Sequence, residues 1–285
     1  MNRLKKLFIN AVALMLCLVC VFGLTACSKE DIKDVDISIV MYNFEDEEMQ
    51  NYSFEIELYG HLAPNTVKAI SKYIKEGYYN GAVFYKITSY KNQIMVGDLK
   101  YDPNQTENEG FYLDKKPTIQ GEFKHGGTTG SNLKNQKGSI GLWRTWAAQD
   151  SSYNQGSTGM DTGSATWFIP NYTMSTYDDY FCVFGQYDVD DSDNIATIDA
   201  LNKIFSDSNY ETYIIYYTGK TYGTNGDGLT FHCVKKEDFV EEKIEDLFKA
   251  DEGSDQYVCF NQYEIQVPMN SDCEIAAKIV SAKVK

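Results

Sequence analysis

Histidine is scarce in this chain: three in 285 residues, His61, His125 and His232. They stand too far apart to suggest a metal cluster or a catalytic triad, and no Cys/His spacing matches a zinc site. Phosphate-binding loops are missing too. The glycine-rich GTNGDG at 223–228 has neither P-loop nor dinucleotide spacing. The acidic run Asp188-Val189-Asp190-Asp191-Ser192-Asp193 touches the calcium-loop pattern but lacks its glycine and has Asp199 at the twelfth position. Basic residues are outnumbered, 26 against 41 acidic, for a net charge of −15. A body this acidic repels phosphate backbones, which argues against a nucleic-acid partner. No internal repeat or low-complexity segment breaks the chain. No metal and no cofactor is expected.

What is present is an apolar supply of 43% with 14% aromatics, enough for the core of one large or two small domains. The N-terminus is the most legible piece. A basic start, MNRLKK, precedes an unbroken apolar run from Leu7 to Gly23, and the segment ends in Leu24-Thr25-Ala26-Cys27. Positive flank, apolar centre and small residues before a cut make an export signal over 1–26. The LTAC ending resembles a bacterial lipoprotein signal, which implies lipid on Cys27 and attachment to a membrane surface. Residues 27–36 read as a tether. Cys17 and Cys20 leave with the signal, so their C-x-x-C spacing is not a redox motif. Cys182, Cys233, Cys259 and Cys273 remain, with three pairings open and a Cys233–Cys259 bridge among them. Cys182, inside an apolar run, reads as a buried thiol.

Ile37–Met41 and Ser53–Tyr59 alternate at period two and are expected strands, joined by the acidic NFEDEEMQN. Pro64 opens a helix, Val67, Ile70 and Ile74 form its apolar stripe, and Gly77 ends it. Val83–Ile87 returns to strand. Lys137–Gln186 holds three short apolar runs, KGSIGLWRT, GSATWFIPN and YFCVFGQ, separated by polar turn-forming loops. These read as consecutive antiparallel strands whose end aromatics line a groove for an extended peptide. Ile195–Phe205 is a second helix, with Asp193 or Asn194 as its cap. Beyond it, Thr212–Thr218 and Leu229–Val234 suggest a hairpin around GTNGDG, Glu237–Ala250 a helix, and Gln256–Val267 another strand.

The segment FEIELYGHLAPNTVKAISKYIKEGYYNGAVFYKI at 54–87 resembles the opening of a cyclophilin. The likeness continues through Ile94-Met95-Val96-Gly97-Asp98, IQGEF at 119–123, NLKNQKGSIGLWRT at 132–145, SATWFI at 164–169 and VFGQ at 183–186. It resumes in a terminal strand at Ala276–Val284. The resemblance implies a mainly β fold over 37–285: a closed eight-stranded antiparallel barrel capped by two helices, with an inserted α+β flank at 206–271. It also implies catalysis of cis–trans rotation about X-Pro bonds, whose barrier of ~20 kcal/mol comes from amide resonance.

Carried over by motif, the family's arginine falls at Lys86 and its glutamine at Met95, with Gln93 able to stand in for the lost amide. The phenylalanine of the proline pocket falls at Phe168, and that block's glutamine at Thr166. Tyr177 and Phe181 take the usual Trp/Leu and His places, and Arg144 aligns with the arginine of the bacterial M-A-R-T motif. The 88–93 loop is one residue longer than the pattern, so Tyr90 or Asn92 fills a second phenylalanine's place. Lysine for arginine keeps charge but loses the planar fork. The implied roles are catalysis for Lys86, Gln93 and Phe168, and substrate contact for Tyr90, Met95, Arg144, Thr166, Tyr177 and Phe181. The implied partners are proline-containing polypeptides, met by a monomer assisting folding of exported proteins outside the cytoplasmic membrane. A catalytically weakened module that binds such segments, or a protein partner, without turning them over is the competing expectation. A solute-binding lipoprotein would share the signal but requires two α/β lobes.

Overall fold

The computed structural model describes residues 32–90, 93–124, 133–144, 162–206, 209–219, 229–239, 263–270, 272 and 274–285; of residues 90, 217–219 and 229 it describes the backbone alone. The expected signal and Cys27, residues 91–92, GTNGDG, Cys259, Cys273 and all of the expected 237–250 helix beyond residue 239 lie outside these.

Strands β1 (Ile32–Asn43) and β2 (Glu48–Tyr59) form where alternation was strongest. Val35, Ile37, Ile39 and Met41 bury one face of β1, and Phe54, Ile56 and Leu58 one face of β2. β1 begins inside the stretch expected to be tether. Val35 continues the alternation and pairs with Val284, so the long C-terminal strand draws Val35 and Asp36 into the sheet ahead of the expected start.

Helix α1 (Pro64–Lys75) starts on Pro64 at the position where a missing N–H is harmless. Its preceding residue, Ala63, has no side chain to cap it. Glu122, 5% exposed, does so from another segment: Asn65 N–H donates to Oε1 at 2.9 Å and Thr66 N–H to Oε2 at 2.8 Å. The negative carboxylate also suits the positive end of the helix dipole. Gly77, at φ 70°, turns the chain out of the helix.

The short strands follow: β3 (Lys86–Ile87), β4 (Gln93–Val96), β5 (Leu99–Tyr101), β6 (Phe111–Leu113), β7 (Ser139–Leu142), β8 (Trp167–Pro170) and β9 (Val183–Gln186). Helix α2 (Ser192–Ser206) comes next, capped by Asp191, whose Oδ1 accepts from the N–H groups of Asp193 and Asn194 at 3.0 and 2.9 Å. That corrects the expected cap by two or three residues. Asn194 is instead spent on anchoring, accepting from Glu55 N–H at 2.8 Å and donating to the Asp188 carbonyl at 3.2 Å. Last come β10 (Tyr210–Gly219), β11 (Leu229–Lys235), β12 (Tyr263–Pro268) and β13 (Ala277–Val284).

A curled seven-stranded sheet runs β13-β1-β2-β9-β7-β8-β4. Residues 82–85 span its two edges through isolated bridges, Val83 to Lys278 and Tyr85 to Met95. The expected closed eight-stranded barrel is therefore seen as a half-barrel whose eighth member is no continuous ladder, because β3 turns away to pair elsewhere. Inside the curl, Ile37, Ile39, Phe54, Ile56, Phe84, Ile94, Ile140, Trp167, Phe184 and Ile279 pack with α1 and α2 into the main core.

The inserted strands are not a flank apart. They add to β3 in a four-stranded sheet, β11-β10-β12-β3, with Ile265 opposite Ile87 and Gln266 opposite Lys86. Tyr213, Ile215, Cys233, Ile265 and Val267 then build a second core with Val83, Tyr85, Ile87, Met95, Phe168 and Phe181. Cys182 and Cys233 are free, buried thiols, so Cys233 makes no bridge. Burial pushes the Cys182 thiol up to about 12, although the Thr66 hydroxyl within 3.7 Å opposes the shift.

Glu122→Ala leaves one buried and one part-buried helix donor without their cap and is expected to lower stability by about 1–3 kcal/mol, read as a drop in urea midpoint at unchanged slope. At pH 8, alkylation followed by peptide mapping should leave Cys182 and Cys233 unlabelled in the native chain and label both in guanidinium, since the thiolate is the reactive form.

Candidate functional site

Antiparallel register gathers the site. Tyr85 and Met95 exchange backbone hydrogen bonds at 2.9 and 2.8 Å, Met95 lies opposite Phe168, and Phe168 lies opposite Gly141. Residues directly opposite share a face of the sheet, and neighbours along a strand alternate. Tyr85, Met95 and Phe168 therefore point together to the outer face, while Phe84, Ile94, Trp167 and Ile169 point into the main core.

The same rule separates two residues that the motif expectation placed side by side. Lys86 follows Tyr85 and faces the other way. Its ammonium lies 4.7 Å from the centre of the Phe205 ring, on α2. Burial there holds its pKa below the usual lysine range. Lys86 and Phe168 are thus not brought together.

Around Phe168 the chain assembles an aromatic cluster. Its ring meets Trp143 at 6.2 Å, Tyr177 at 6.3 Å and Phe181 at 5.6 Å, each edge-on. Phe181 in turn stacks near-parallel with Trp143 at 5.5 Å and with Tyr177 at 4.6 Å. Such arrangements exceed plain area burial by about 0.5–1.5 kcal/mol per pair. The tip of Phe168 rests against Gly141, where an added Cβ would fall 2.3 Å from the ring carbon Cζ. Phe168 itself is 0% exposed.

A cation does stand at this cluster, and it is Arg144. Its guanidinium lies 4.6 Å from the Phe123 ring centre and 5.3 Å from that of Phe181, and Nε donates to the Tyr180 carbonyl at 2.6 Å. The 6%-exposed side chain ties together the segments bearing residues 123, 144 and 180–181. A cation over ring faces gains most where water is excluded.

Gln93 shares the outer face with Met95 by alternation and is fully buried. Its Nε2 reaches Met174 Sδ at 3.7 Å, and its Oε1 has no hydrogen-bond partner among the described residues. Thr166 takes a structural place: its hydroxyl accepts from Asp98 N–H at 3.2 Å, and its carbonyl accepts from Trp143 N–H at 2.9 Å. Asp98 also accepts from Tyr78 and Ser164, both at 3.1 Å, and burial still raises its pKa. Tyr90 closes the Thr88–Tyr90 turn; Asn92 is outside the described residues.

The motif reading missed Trp143, Gly141 and Tyr85. Trp143 and Gly141 stand inside a quoted block, LWRT and its preceding glycine, where only Arg144 had been carried over. Strand alternation after Phe84 was the available signal for Tyr85. No local signal pointed to the inserted residues in the second core.

The curled half-barrel with its two helices carries an aromatic cluster on its outer face, and the described residues offer no cluster of metal-ligating groups. The family model described as cyclophilin type peptidyl-prolyl cis-trans isomerase/CLD matches residues 44–217, more than half the chain. The chain therefore belongs to the cyclophilin-type peptidyl-prolyl cis-trans isomerases. Among solved structures it is similar to a cyclophilin-type peptidyl-prolyl cis-trans isomerase of Cryptosporidium parvum, with 18% identity, a TM-score of 0.38, and coverage of 60% of this chain and 83% of that one. A structure of that protein in the presence of the dipeptide Ala-Pro gives 17% identity, a TM-score of 0.34, and coverage of 56% and 83%. No curated protein matches the chain.

Gly141→Ala is expected to displace the Phe168 ring and cost about 1–3 kcal/mol. The loss would appear in urea unfolding, and the displacement in the aromatic near-ultraviolet dichroism.

Proposed function

We propose that this isomerase turns X-Pro bonds in exported proteins at the outer face of the cytoplasmic membrane, held there as a monomer by lipid on Cys27. The family match over 44–217 carries the chemistry of this reading. The basic start, apolar run and LTAC ending of the N-terminus support the location.

Rotation needs no nucleophile. A planar amide is stabilised by charge-separated resonance, and the twisted state is less polar. An apolar floor of Phe168, Phe181 and Tyr177 holds the prolyl ring and removes water from the amide, favouring the twisted state over the planar one. Gln93, whose carbonyl oxygen has no hydrogen-bond partner among the described residues and whose amide N–H is weakly held, is the proposed polar contact for the peptide. Met95 flanks the floor and Arg144 braces it, with Tyr90 proposed as a further contact for the peptide.

The second reading, a module that grips proline-containing segments without accelerating their exchange, draws on one observation. Lys86 faces Phe205 rather than the aromatic floor, so the motif's cation is withdrawn from the peptide's side.

The deciding measurement is exchange NMR on a short alanine-proline peptide with the chain lacking residues 1–26. The native protein should accelerate exchange, Phe168→Ala should lower kcat/KM by about tenfold or more, and Lys86→Ala should stay within about twofold. Saturable binding without acceleration would favour the second reading. In whole cells, a labelled fatty acid should enter the wild-type chain and not Cys27→Ala; equal labelling of the two sinks the anchor.

A further inference from the structure

The inserted sheet has two faces, and the barrel accounts for one of them. Alternation along β10 sends Tyr213 and Ile215 into the second core and Ile214 and Tyr216 to the far side. Those two are nonetheless buried, at 3% and 8% exposure. Among the described residues their hydrophobic neighbours are Val234 and Phe239, and the His232 ring is stacked on Tyr216 at 4.8 Å. Register sets Val234 and Glu264 on either side of Ile214, so the far face runs across β11, β10 and β12.

Chain topology says what crosses that face. β11 and β12 each pair antiparallel with β10, on its two sides, so they run parallel to each other. Parallel strands are joined by a crossover of about a dozen residues or more, most often a helix, lying over the sheet. Here the connection leads from Lys235 to Tyr263. The barrel side of the sheet is filled by the second core. The far side is where the connection sets out. The Lys236 ammonium reaches across β10 to the Glu264 carboxylate at 2.8 Å, and the Phe239 ring stands edge-on to Tyr216 at 6.1 Å. Residues 240–262 follow from there, outside the described residues. In their sequence Val240, Ile244, Leu247 and Phe248 recur at helical spacing, and every other position up to Lys249 is charged.

We propose that residues 240–250 cross the far face of the inserted sheet as an amphipathic helix, with Val240, Ile244, Leu247 and Phe248 laid on Ile214 and Tyr216. The occupant of this face is thus a segment of the same chain, and the inserted sheet is a layer between the barrel and that helix. The dimensions agree. At ~1.5 Å per residue the helix is ~16 Å long, and β11 and β12 stand ~10 Å apart across β10. A helix this short is marginal alone in water, so the sheet is what holds it. The inference stands apart from the isomerase reading and survives its failure.

The test is amide hydrogen exchange at residues 213–216, followed by NMR on the chain without residues 1–26. Ile244→Asp and Leu247→Asp should speed exchange there about tenfold or more, while Glu242→Ala and Lys249→Ala, on the opposite side of the helix, stay within about twofold. If the Asp variants do not fold, Ile244→Ala and Leu247→Ala replace them and should act in the same direction. A double-mutant cycle checks direct contact. The effect of Leu247→Ala on the folding constant in urea should be about threefold or more smaller in a Tyr216→Ala background. Apolar-face variants that exchange like the controls, or effects that simply add in the cycle, overturn the proposal. Protection of residues 213–216 that rises with protein concentration also overturns it, by assigning the face to a second copy.

Discussion

A pleated strand sends successive side chains to opposite faces, and in this chain both faces are buried. The inner face of the curled sheet packs on α1 and α2 to make the main core. The outer face is covered by the inserted strands and by the aromatic cluster around Phe168. Everything at the site follows from which face a residue falls on. Tyr85, Met95 and Phe168 fall together on the outer one, and Lys86, one step along the strand, does not. A one-residue change of register would exchange these two sets.

That constraint explains how a family scaffold has acquired an altered site. In an open half-barrel the strand at 86–87 would be an edge, with unpaired backbone groups facing solvent. Here β12 pairs with it, which removes the edge and carries Ile265 and Val267 against the outer face. The backbone bonds of β3 are satisfied, the strand is drawn toward the inserted sheet, and the barrel is joined at that point by single bridges. The same addition places Lys86 beside Gln266 and over Phe205. The continuous eighth strand is lost where β3 pairs with β12, and the lysine is turned inward by alternation after Tyr85.

Two carboxylates show how distant segments complete the local pieces. Glu122 supplies the cap that Ala63 lacks, and Asp191 turns an acidic run into the start of α2. Arg144 does comparable work beside the aromatic floor, bridging two rings and a carbonyl from separate segments. Glu122 and Arg144 are buried charges held by backbone or ring partners, which is how buried charge is tolerated, whereas Asp191 is exposed.

The sequence by itself determined what depends on local periodicity and on motifs. Alternation located β1 and β2, the 3.6-residue stripe located α1, the 212–218 and 229–234 runs became β10 and β11, and the ordered blocks carried the family. Its limits were long-range. Nothing near Ala63 announces Glu122, nothing in the 210–268 stretch announces that it will pair with β3, and the likeness of FYK to the family motif does not say which way Lys86 will face. Only the tertiary structure decided those points, because facing is set by hydrogen-bond register between strands far apart in sequence. A side chain's neighbours are then chosen by the partner strand and not by the residues beside it in the chain.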